Sequence, residues 1–197
     1  MVRHGETIWH AENRYTGRTD VPLTELGHEQ ARLLAGWAKT AGLSACWSST
    51  LARARTTVAP AAEAAGLQAR HDARLCEIDF GDGEGRTASE MRELFGDRYP
   101  AFQDDPYTNF LPGGEAPSAA VRRATSCLAE IAEAHPDGRV LVVWHSTLMR
   151  LTLCRLLGIP GADYRRTFPF VRNVGITELR NTGEQWSLLQ YNSPIDR

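Results

Sequence analysis

The most informative stretch of the sequence reads Val140-Leu141-Val142-Val143-Trp144-His145, in which five apolar residues lead to a histidine. An almost purely apolar run of this length is typical of a strand that is buried on both faces, as in a parallel sheet. Ligands of open α/β sheets bind beyond the carboxyl ends of the strands. We therefore expect a buried strand that delivers His145 to a binding site.

Helix and strand signals alternate on both sides of this strand, which predicts a layered α/β domain. A helix is expected to begin near Thr24 and to carry Leu26, Leu33, Leu34 and Trp37 inward, and an alanine-rich helix that ends at Gly66 is expected to be disturbed at Pro60. The other predicted elements are a strand over 45–48, a capping box at Thr87 and Glu90, helices over 117–134 and 147–157, and a β-hairpin around Asn181-Thr182-Gly183.

Length and composition indicate an ordinary globular protein. The 197 residues suffice for one well-buried domain and are short for two, so we expect a single domain over 1–197 with a variable, lid-like segment at about 86–114. Hydrophobic residues make up 42% of the chain and charged residues 23%, and these fractions are typical of soluble domains. No apolar run is long enough to cross a membrane, and no secretion signal is visible, so a cytoplasmic location is expected.

Charge and cysteine content narrow the possible partners. The net charge of −2 argues against nucleic-acid binding. The four cysteines are scattered without a CxxC pair, so neither a disulfide framework nor a zinc site is expected.

A second histidine stands in a comparable place near the start of the chain, within Arg3-His4-Gly5-Glu6. An unprotonated imidazole can attack phosphorus, and the neighbouring guanidinium can neutralise phosphoryl oxygens. Gly5 is expected to let the backbone approach the anion. Two histidines at strand ends favour a functional site over two isolated surface residues.

Six motifs in order resemble the histidine phosphatase, or phosphoglycerate mutase-like, superfamily, and the resemblance covers nearly the whole chain. They are Arg3-His4-Gly5-Glu6-Thr7, Asn13-Arg14-Tyr15-Thr16-Gly17 followed by Asp20-Val21-Pro22-Leu23-Thr24, Ser48-Ser49-Thr50-Leu51-Ala52-Arg53-Ala54, Leu75-Cys76-Glu77 with Gly81 and Glu84-Gly85, Pro112-Gly113-Gly114-Glu115, and Val142-Val143-Trp144-His145. The resemblance implies a three-layer α/β/α sandwich with a mixed, mostly parallel central sheet.

The resemblance also implies a role for each matching residue. His4 is the nucleophile, Arg3, Arg53 and His145 form a positive cradle for phosphate, and Glu77 is the general acid and base. Neither a metal nor another cofactor is implied. The implied partner is a small-molecule phosphate ester, with no nucleic acid or membrane involved, and a homodimer is the assembly that the resemblance suggests.

Two of these assignments have alternatives in the sequence itself. Arg53 could be an ordinary surface arginine of a helix, as Arg55 is expected to be. Glu77 competes with Asp79, Asp82 and Glu84, and only the motif register selects it.

The sequence departs from the family pattern at three places. His10 stands where asparagine is common, and Ser146 stands where glycine is usual; both are assigned to phosphate binding, and Asn13 and Thr16 are candidates for substrate contact. Only two residues precede Arg3, so either the first strand is frayed or the recorded start lies too late.

The sequence favours a phosphatase that works through a phosphohistidine on His4, and two alternatives stay open. A cofactor-dependent phosphoglycerate mutase has to shield its phosphohistidine from water. The modest segment between Glu77 and Gly113, together with a chain that ends soon after the hairpin, favours water access and hydrolysis. The second alternative is a non-catalytic module that binds phospholigands, which would be expected to lack His4 or Glu77.

Overall fold

The computed structural model describes residues 1–183 and 185–195, and their strands form one mixed sheet. The strands are β1 (Val2–Arg3), β2 (Ala45–Ser48), β3 (Ala69–His71), β4 (Val140–Trp144), β5 (Ile176–Asn181) and β6 (Trp186–Ser193). Their order is β3-β2-β4-β1-β5-β6. The first four strands in this order run parallel, and β5 is antiparallel to both of its neighbours. The predicted mixed, mostly parallel sheet is confirmed.

Helices cover both faces of the sheet. They are α1 (Glu25–Ala38), α2 (Ala52–Ala64), α3 (Ala88–Phe95), α4 (Arg98–Asp104), α5 (Pro117–Ala134), α6 (Ser146–Leu156) and α7 (Tyr164–Thr167). Alternate residues of β4 point to opposite faces, so Leu141 and Val143 share a core cluster with α1 and α2, whereas Val142 and Trp144 share one with α5 and α6. This arrangement is the expected three-layer sandwich.

The short first strand lies in the centre of the sheet. Val2 pairs with Val143 of β4 on one side and with Ile176 of β5 on the other, and its side chain is fully buried. The prediction of a frayed β1 is therefore wrong, because neighbours on both sides hold even a two-residue strand in place. This central position fixes the direction in which the chain leaves β1 toward His4.

Most helix boundaries follow the sequence signals. Thr24 accepts a hydrogen bond from the Gly27 amide at the start of α1, and the predicted capping box of Thr87 and Glu90 opens α3. Helix α5 has the predicted bounds, and α6 begins and ends one residue earlier than predicted.

Two expectations about these helices are wrong. Leu26 is 46% exposed, because the buried stripe of α1 runs through Gly27, Ala31, Leu34 and Ala38 and leaves Leu26 one position to the side. Helix α2 continues through Pro60 to Ala64. The sequence pattern located both helices but not the rotation of α1 about its axis.

The segment 86–114 forms short helices with a small core of their own. Met91, Tyr99, Phe102 and Leu111 are buried together there, and Phe80 packs against them from outside the segment. Helices α3 and α4 lie in this segment, and its function as a lid stays a prediction. In the described part of the chain, no helix has the length and apolar character needed to span a membrane.

Candidate active site

His4 leaves the carboxyl end of β1 with its ring buried. Its amide donates to the Trp144 carbonyl at 3.0 Å, and Nδ1 lies 2.7 Å from the Gly5 carbonyl oxygen. Because a carbonyl can only accept, Nδ1 carries the ring proton and Nε2 keeps a free lone pair. Burial lowers the pKa of His4 well below its ordinary value, and the positive charges of Arg53 and Arg3 lower it further. The ring is therefore neutral at pH 7, as a nucleophile must be.

Gly5 is required by a close approach to helix α1. A Cβ on Gly5 would lie 2.6 Å from the Gly27 carbonyl oxygen, which is too close for any side chain. The Gly5 amide donates to the Thr57 hydroxyl of α2 at 3.0 Å. The structure thus requires a glycine here for packing that holds the His4 loop against α1 and α2, and a close approach of the Gly5 backbone to an anion stays a prediction.

His145 leaves the carboxyl end of β4 and is buried beside His4. The ring centroids of the two histidines are 5.1 Å apart. Nε2 of His145 lies 2.7 Å from the Ser49 hydroxyl oxygen, whereas Nδ1 is buried without a partner among the described residues. Burial and the charge of Arg53 lower the pKa of His145 well below its ordinary value. The structure thus brings together the two histidines that the sequence singled out.

The Arg3 guanidinium is held through its two Nη atoms. Its Nη1 donates to the Val171 carbonyl at 2.9 Å, and its Nη2 lies 2.6 Å from Nε2 of His10. Burial lowers the pKa of Arg3 to about 10, and the negative charge of Glu77 opposes this shift. The guanidinium remains charged at neutral pH.

Arg53 lies in the first turn of α2 and is only 1% exposed, whereas Arg55 is exposed. Its two Nη atoms donate to the carbonyls of Thr19 and Gly17 at 2.8 and 2.6 Å. The alternative of an ordinary surface arginine is therefore wrong. Burial lowers the pKa of Arg53, and Glu77 is the largest opposing charge.

Three buried nitrogen atoms of this cluster have no hydrogen-bond partner in the described part of the chain: Nε of Arg3, Nε of Arg53 and Nδ1 of His145. Buried polar atoms in proteins are nearly always paired. The oxygens of a bound anion would supply the missing acceptors, and two of the three groups carry full positive charge.

Within 1–183 and 185–195, no cluster of three or more His, Cys, Asp and Glu side chains is arranged to hold a metal ion.

Glu77 is the one carboxylate among the described residues that is buried, at 4% exposure. Its Oε2 accepts from the Thr147 amide at 2.9 Å, and its Oε1 accepts from the amides of Leu148 and Ile78 at 2.8 and 2.9 Å. Two of these amides belong to the first turn of α6, where backbone N–H groups lack helical partners. The three competing carboxylates, of Asp79, Asp82 and Glu84, are all more exposed.

Both ring nitrogens of His10 are occupied. Its Nδ1 lies 2.8 Å from the Thr7 hydroxyl, and its Nε2 faces the Arg3 guanidinium. The Thr7 amide donates to Nδ1 at 3.0 Å, and the Arg3 guanidinium, which can only donate, faces Nε2, so both ring nitrogens are directed at protein groups. Burial, followed by the charge of Arg3, lowers the pKa of His10 to about 4. This histidine contacts Arg3 directly, and in this arrangement it offers no ring N–H to a phosphate.

The remaining candidates are less buried than His4, Arg53 and His145. Ser146 is half-buried at the first position of α6. Asn13 is exposed with a φ of 52°, and the Thr16 hydroxyl donates to the Arg14 carbonyl at 3.0 Å. The structure thus gives Asn13 and Thr16 roles in the turns of their own loop.

Sequence reasoning missed Ser49 and Asn173. Ser49 follows β2, the neighbour of β4, so the strand-end rule that selected His145 could also have selected this serine. The Asn173 side chain donates to the His4 carbonyl at 2.7 Å. No local signal marks Asn173, because its contact joins residues 169 positions apart.

Comparison with known proteins agrees with this geometry. Residues 1–194 match the family model of the histidine phosphatase superfamily, branch 1. Phosphoserine phosphatase 1 of Hydrogenobacter thermophilus is 33% identical over 159 residues, which cover 81% of this chain and 75% of that protein. A probable phosphoglycerate mutase of Salmonella paratyphi B is 32% identical over 94% of this chain and 86% of its own length.

A solved structure extends the likeness to three dimensions. A mycobacterial glucosyl-3-phosphoglycerate phosphatase superposes with a TM-score of 0.89 at 28% identity, over 98% of this chain and 97% of that one. The match of the family model covers nearly the whole sequence, and the similar fold is found in a phosphatase. This chain belongs to the histidine phosphatase superfamily, branch 1.

Proposed function

We propose that the protein hydrolyses small phosphate monoesters without a metal ion, through a phosphohistidine formed on His4. The family and the names of two relatives, one in sequence and one in structure, support phosphoester hydrolysis. The observation that carries the finer proposal is the neutral, buried ring of His4 beside three buried nitrogens without partners. A cytoplasmic location and a homodimer stay predictions.

In the first step, Nε2 of His4 attacks phosphorus while the bond from phosphorus to the leaving oxygen breaks. The electron pair of that bond goes to the leaving oxygen, and Glu77 in its protonated form supplies the proton that makes it an alcohol. Nε of Arg3 and Nε of Arg53 donate to the equatorial oxygens, where negative charge is held in the transition state.

His145 contributes a neutral donor to the same oxygens. In this proposal the Ser49 hydroxyl donates to Nε2 of His145, so Nδ1 carries the ring proton and directs it into the anion site. The low pKa of both rings keeps them neutral. His4 therefore keeps its lone pair, and His145 keeps one N–H.

In the second step, the Glu77 carboxylate takes a proton from water as that water attacks the phosphohistidine. The bond from phosphorus to Nε2 of His4 breaks, and its electron pair returns to the ring. Inorganic phosphate leaves, and Glu77 is again protonated for the next cycle. Each group ends the cycle in the state in which it began.

A phosphoglycerate mutase is the second candidate, favoured by the name of the Salmonella relative that is 32% identical. Both activities would use the same phosphohistidine. They differ in whether water or a second substrate hydroxyl receives the phosphoryl group.

The deciding experiment is an assay of phosphate release from a panel of monoesters with a chelator present, comparing the wild type with His4→Ala. The panel includes phosphoserine, glucosyl-3-phosphoglycerate and α-ribazole phosphate, and 3-phosphoglycerate is tested with and without 2,3-bisphosphoglycerate. We expect release that resists the chelator and disappears in His4→Ala. Isomerisation of 3-phosphoglycerate faster than release would identify a mutase. Tight phosphate binding without either activity would identify a binding module.

A further inference from the structure

Arg123 of α5 uses all five of its N–H groups within the protein. Nε and one N–H of Nη2 donate to the two Glu115 oxygens, each at 2.7 Å. The two N–H groups of Nη1 donate to the carbonyls of Arg74 and Cys76 at 2.7 and 2.6 Å. The last N–H of Nη2 donates to the Glu77 carbonyl at 3.2 Å. A guanidinium so fully paired is fixed in position.

The three carbonyls that Arg123 binds belong to the turn that carries Glu77. The guanidinium holds the backbone of this turn, while the amides of Thr147 and Leu148 hold the Glu77 carboxylate. Glu77 is therefore fixed at both ends, by α5 at its backbone and by α6 at its side chain. The hydrogen bonds of Arg123 reach only protein groups around Glu77, so they affect the reaction through Glu77. Its positive charge also acts on His145, and a lysine keeps that charge.

Glu115 anchors the pair at the end of the segment 86–114. Its amide donates to the Asp79 carbonyl at 2.9 Å, and its side chain is 17% exposed. Burial alone would raise the pKa of Glu115, but the hydrogen bonds and charge of Arg123 hold it below its ordinary value. The carboxylate is thus charged at neutral pH and keeps Arg123 paired.

We propose that Arg123, held by Glu115, is a positioning residue that sets Glu77 against the leaving oxygen of the substrate. This inference rests on the function proposed above. A lysine cannot replace this arrangement, because three rotatable N–H groups on one nitrogen cannot span two carboxylate oxygens and three carbonyls. Loss of the clamp frees the turn of Glu77 and leaves Arg3, His4 and Arg53 in place.

The dependence of kcat/KM on the leaving group distinguishes a misplaced Glu77 from general damage to the fold. An alkoxide is a poor leaving group and needs the proton from Glu77, whereas p-nitrophenolate is stable enough to leave without it. The ratio kcat/KM includes the step in which the leaving group departs and excludes later hydrolysis of the phosphohistidine. A misplaced Glu77 therefore lowers kcat/KM for an alkyl phosphate selectively, whereas general damage to the fold lowers it for both esters.

The test compares kcat/KM for 2-glycerol phosphate and p-nitrophenyl phosphate in wild type, Arg123→Lys, Glu115→Gln and the reference Glu77→Gln. We expect Arg123→Lys to lose on the order of tenfold or more on 2-glycerol phosphate and less than about threefold on p-nitrophenyl phosphate. Arg139→Lys is the matched control, because Arg139 pairs with Glu178 at 3.0 Å before β4, at the opposite end of the sheet from His145. It should change neither value.

Two further measurements keep the test decisive. The double variant Arg123→Lys/Glu77→Gln should be no slower on 2-glycerol phosphate than Glu77→Gln, because both changes remove the same function, proton donation by Glu77. If Arg123→Lys does not fold, Glu115→Gln must show the same selective loss. Equal losses on both esters would overturn the positioning role and leave the proposed function standing. A wild-type protein that hydrolyses neither these two esters nor any ester of the panel above would refute the proposed function itself.

Discussion

At the scale of single residues, each of the two active-site rings has one nitrogen that contacts a protein group. The Gly5 carbonyl fixes the proton of His4 on Nδ1, and the Ser49 hydroxyl contacts Nε2 of His145. The sequence identified the two rings, because each follows a strand. It could not assign their protons, because the partner of His145 lies 96 residues away in the chain.

Ser49→Ala should reduce activity more than the control Ser48→Ala. Without the hydroxyl, the ring of His145 loses the partner that orients it, which costs about 1 kcal/mol or more of transition-state stabilisation. We expect kcat/KM for p-nitrophenyl phosphate to fall roughly tenfold, measured by phosphate release. Ser48→Ala is the matched control, because Ser48 is equally buried but its hydroxyl contacts His71 and the Ser49 carbonyl and not His145. Equal effects of the two substitutions would contradict the role of Ser49.

His10 shows the limit of prediction by residue type. The sequence assigned it to phosphate binding from its motif position, whereas the structure places Nε2 against Arg3 and Nδ1 against Thr7. The position of His10 in the motif could locate its side chain near the site. Whether the ring contacts a bound phosphate or the Arg3 guanidinium depends on distances that the sequence does not contain.

At the scale of elements, the loop over 17–19 holds Arg53 and is itself held by Glu84. The carboxylate of Glu84 accepts from the amides of Gly17 and Thr19 at 2.9 Å each, and the carbonyls of the same two residues accept from Arg53. Donors and acceptors of one short loop are thus divided between a carboxylate and a guanidinium. The position of Arg53 in the phosphate cradle therefore depends on Glu84 through this loop.

Glu84→Gln should weaken phosphate binding more than it slows the bound complex. Both loop amides donate to Oε1, and the Gly17 amide also reaches Oε2 at 3.0 Å. Glutamine replaces one carboxylate oxygen by an NH2 group, which cannot accept from the Gly17 amide, and removes the negative charge that acts on Arg53, so Arg53 becomes less well placed. We expect KM for p-nitrophenyl phosphate, and Ki for inorganic phosphate, to rise several-fold with a smaller change in kcat. The control is Glu12→Gln, because the exposed Glu12 pairs with Arg14 outside the cradle. A change in kcat alone would rule out this role for Glu84.

Elements with strong local signals were the ones that the sequence predicted well. Strand β4 and helix α5 have the predicted bounds, because an apolar run and an N-terminal proline are local features. The exposure of the Leu26 side chain and the contact of Gly5 with Gly27 were not predicted. Both depend on how α1 packs against a distant part of the chain.

At the scale of the whole molecule, three histidines are held neutral by the fold. Burial lowers the pKa of His4 and His145 well below 6.5 and that of His10 to about 4. The unfolded chain binds protons at these sites as soon as the pH falls through 6.5, and the folded protein does not. The contribution of these histidines to the free energy of unfolding is therefore largest above pH 6.5 and declines as the pH falls toward 4.

The slope of this decline is measurable by urea denaturation between pH 7 and pH 5. Well below pH 6.5, each histidine that stays neutral in the fold lowers the free energy of unfolding by about 1.4 kcal/mol per pH unit. We expect His145→Gln to show a shallower slope than the wild type by about this amount. His28→Gln, on the exposed side of α1, should keep the wild-type slope. An unchanged slope in His145→Gln would mean that the ring is charged in the fold.

The layered architecture was predicted from the sequence, but the place of the hairpin in the sheet was not. Alternating helix and strand signals indicated helices on both faces, and turn residues indicated β5 and β6. That β5 would lie beside β1 depends on the pairing of Val2 with Ile176, a contact between the two ends of the chain. The same pairing brings Val171 and Asn173 to the active site.

The most direct test of the central claim is to trap the phosphoryl group on the protein. Wild-type protein is mixed with p-nitrophenyl phosphate, quenched in alkali within milliseconds, and digested for mass spectrometry. We predict a phosphoryl adduct that is stable to alkali and labile to acid, located on His4 and absent from His4→Ala. Phosphate release at the wild-type rate without an adduct, or an adduct on another residue, would contradict the account.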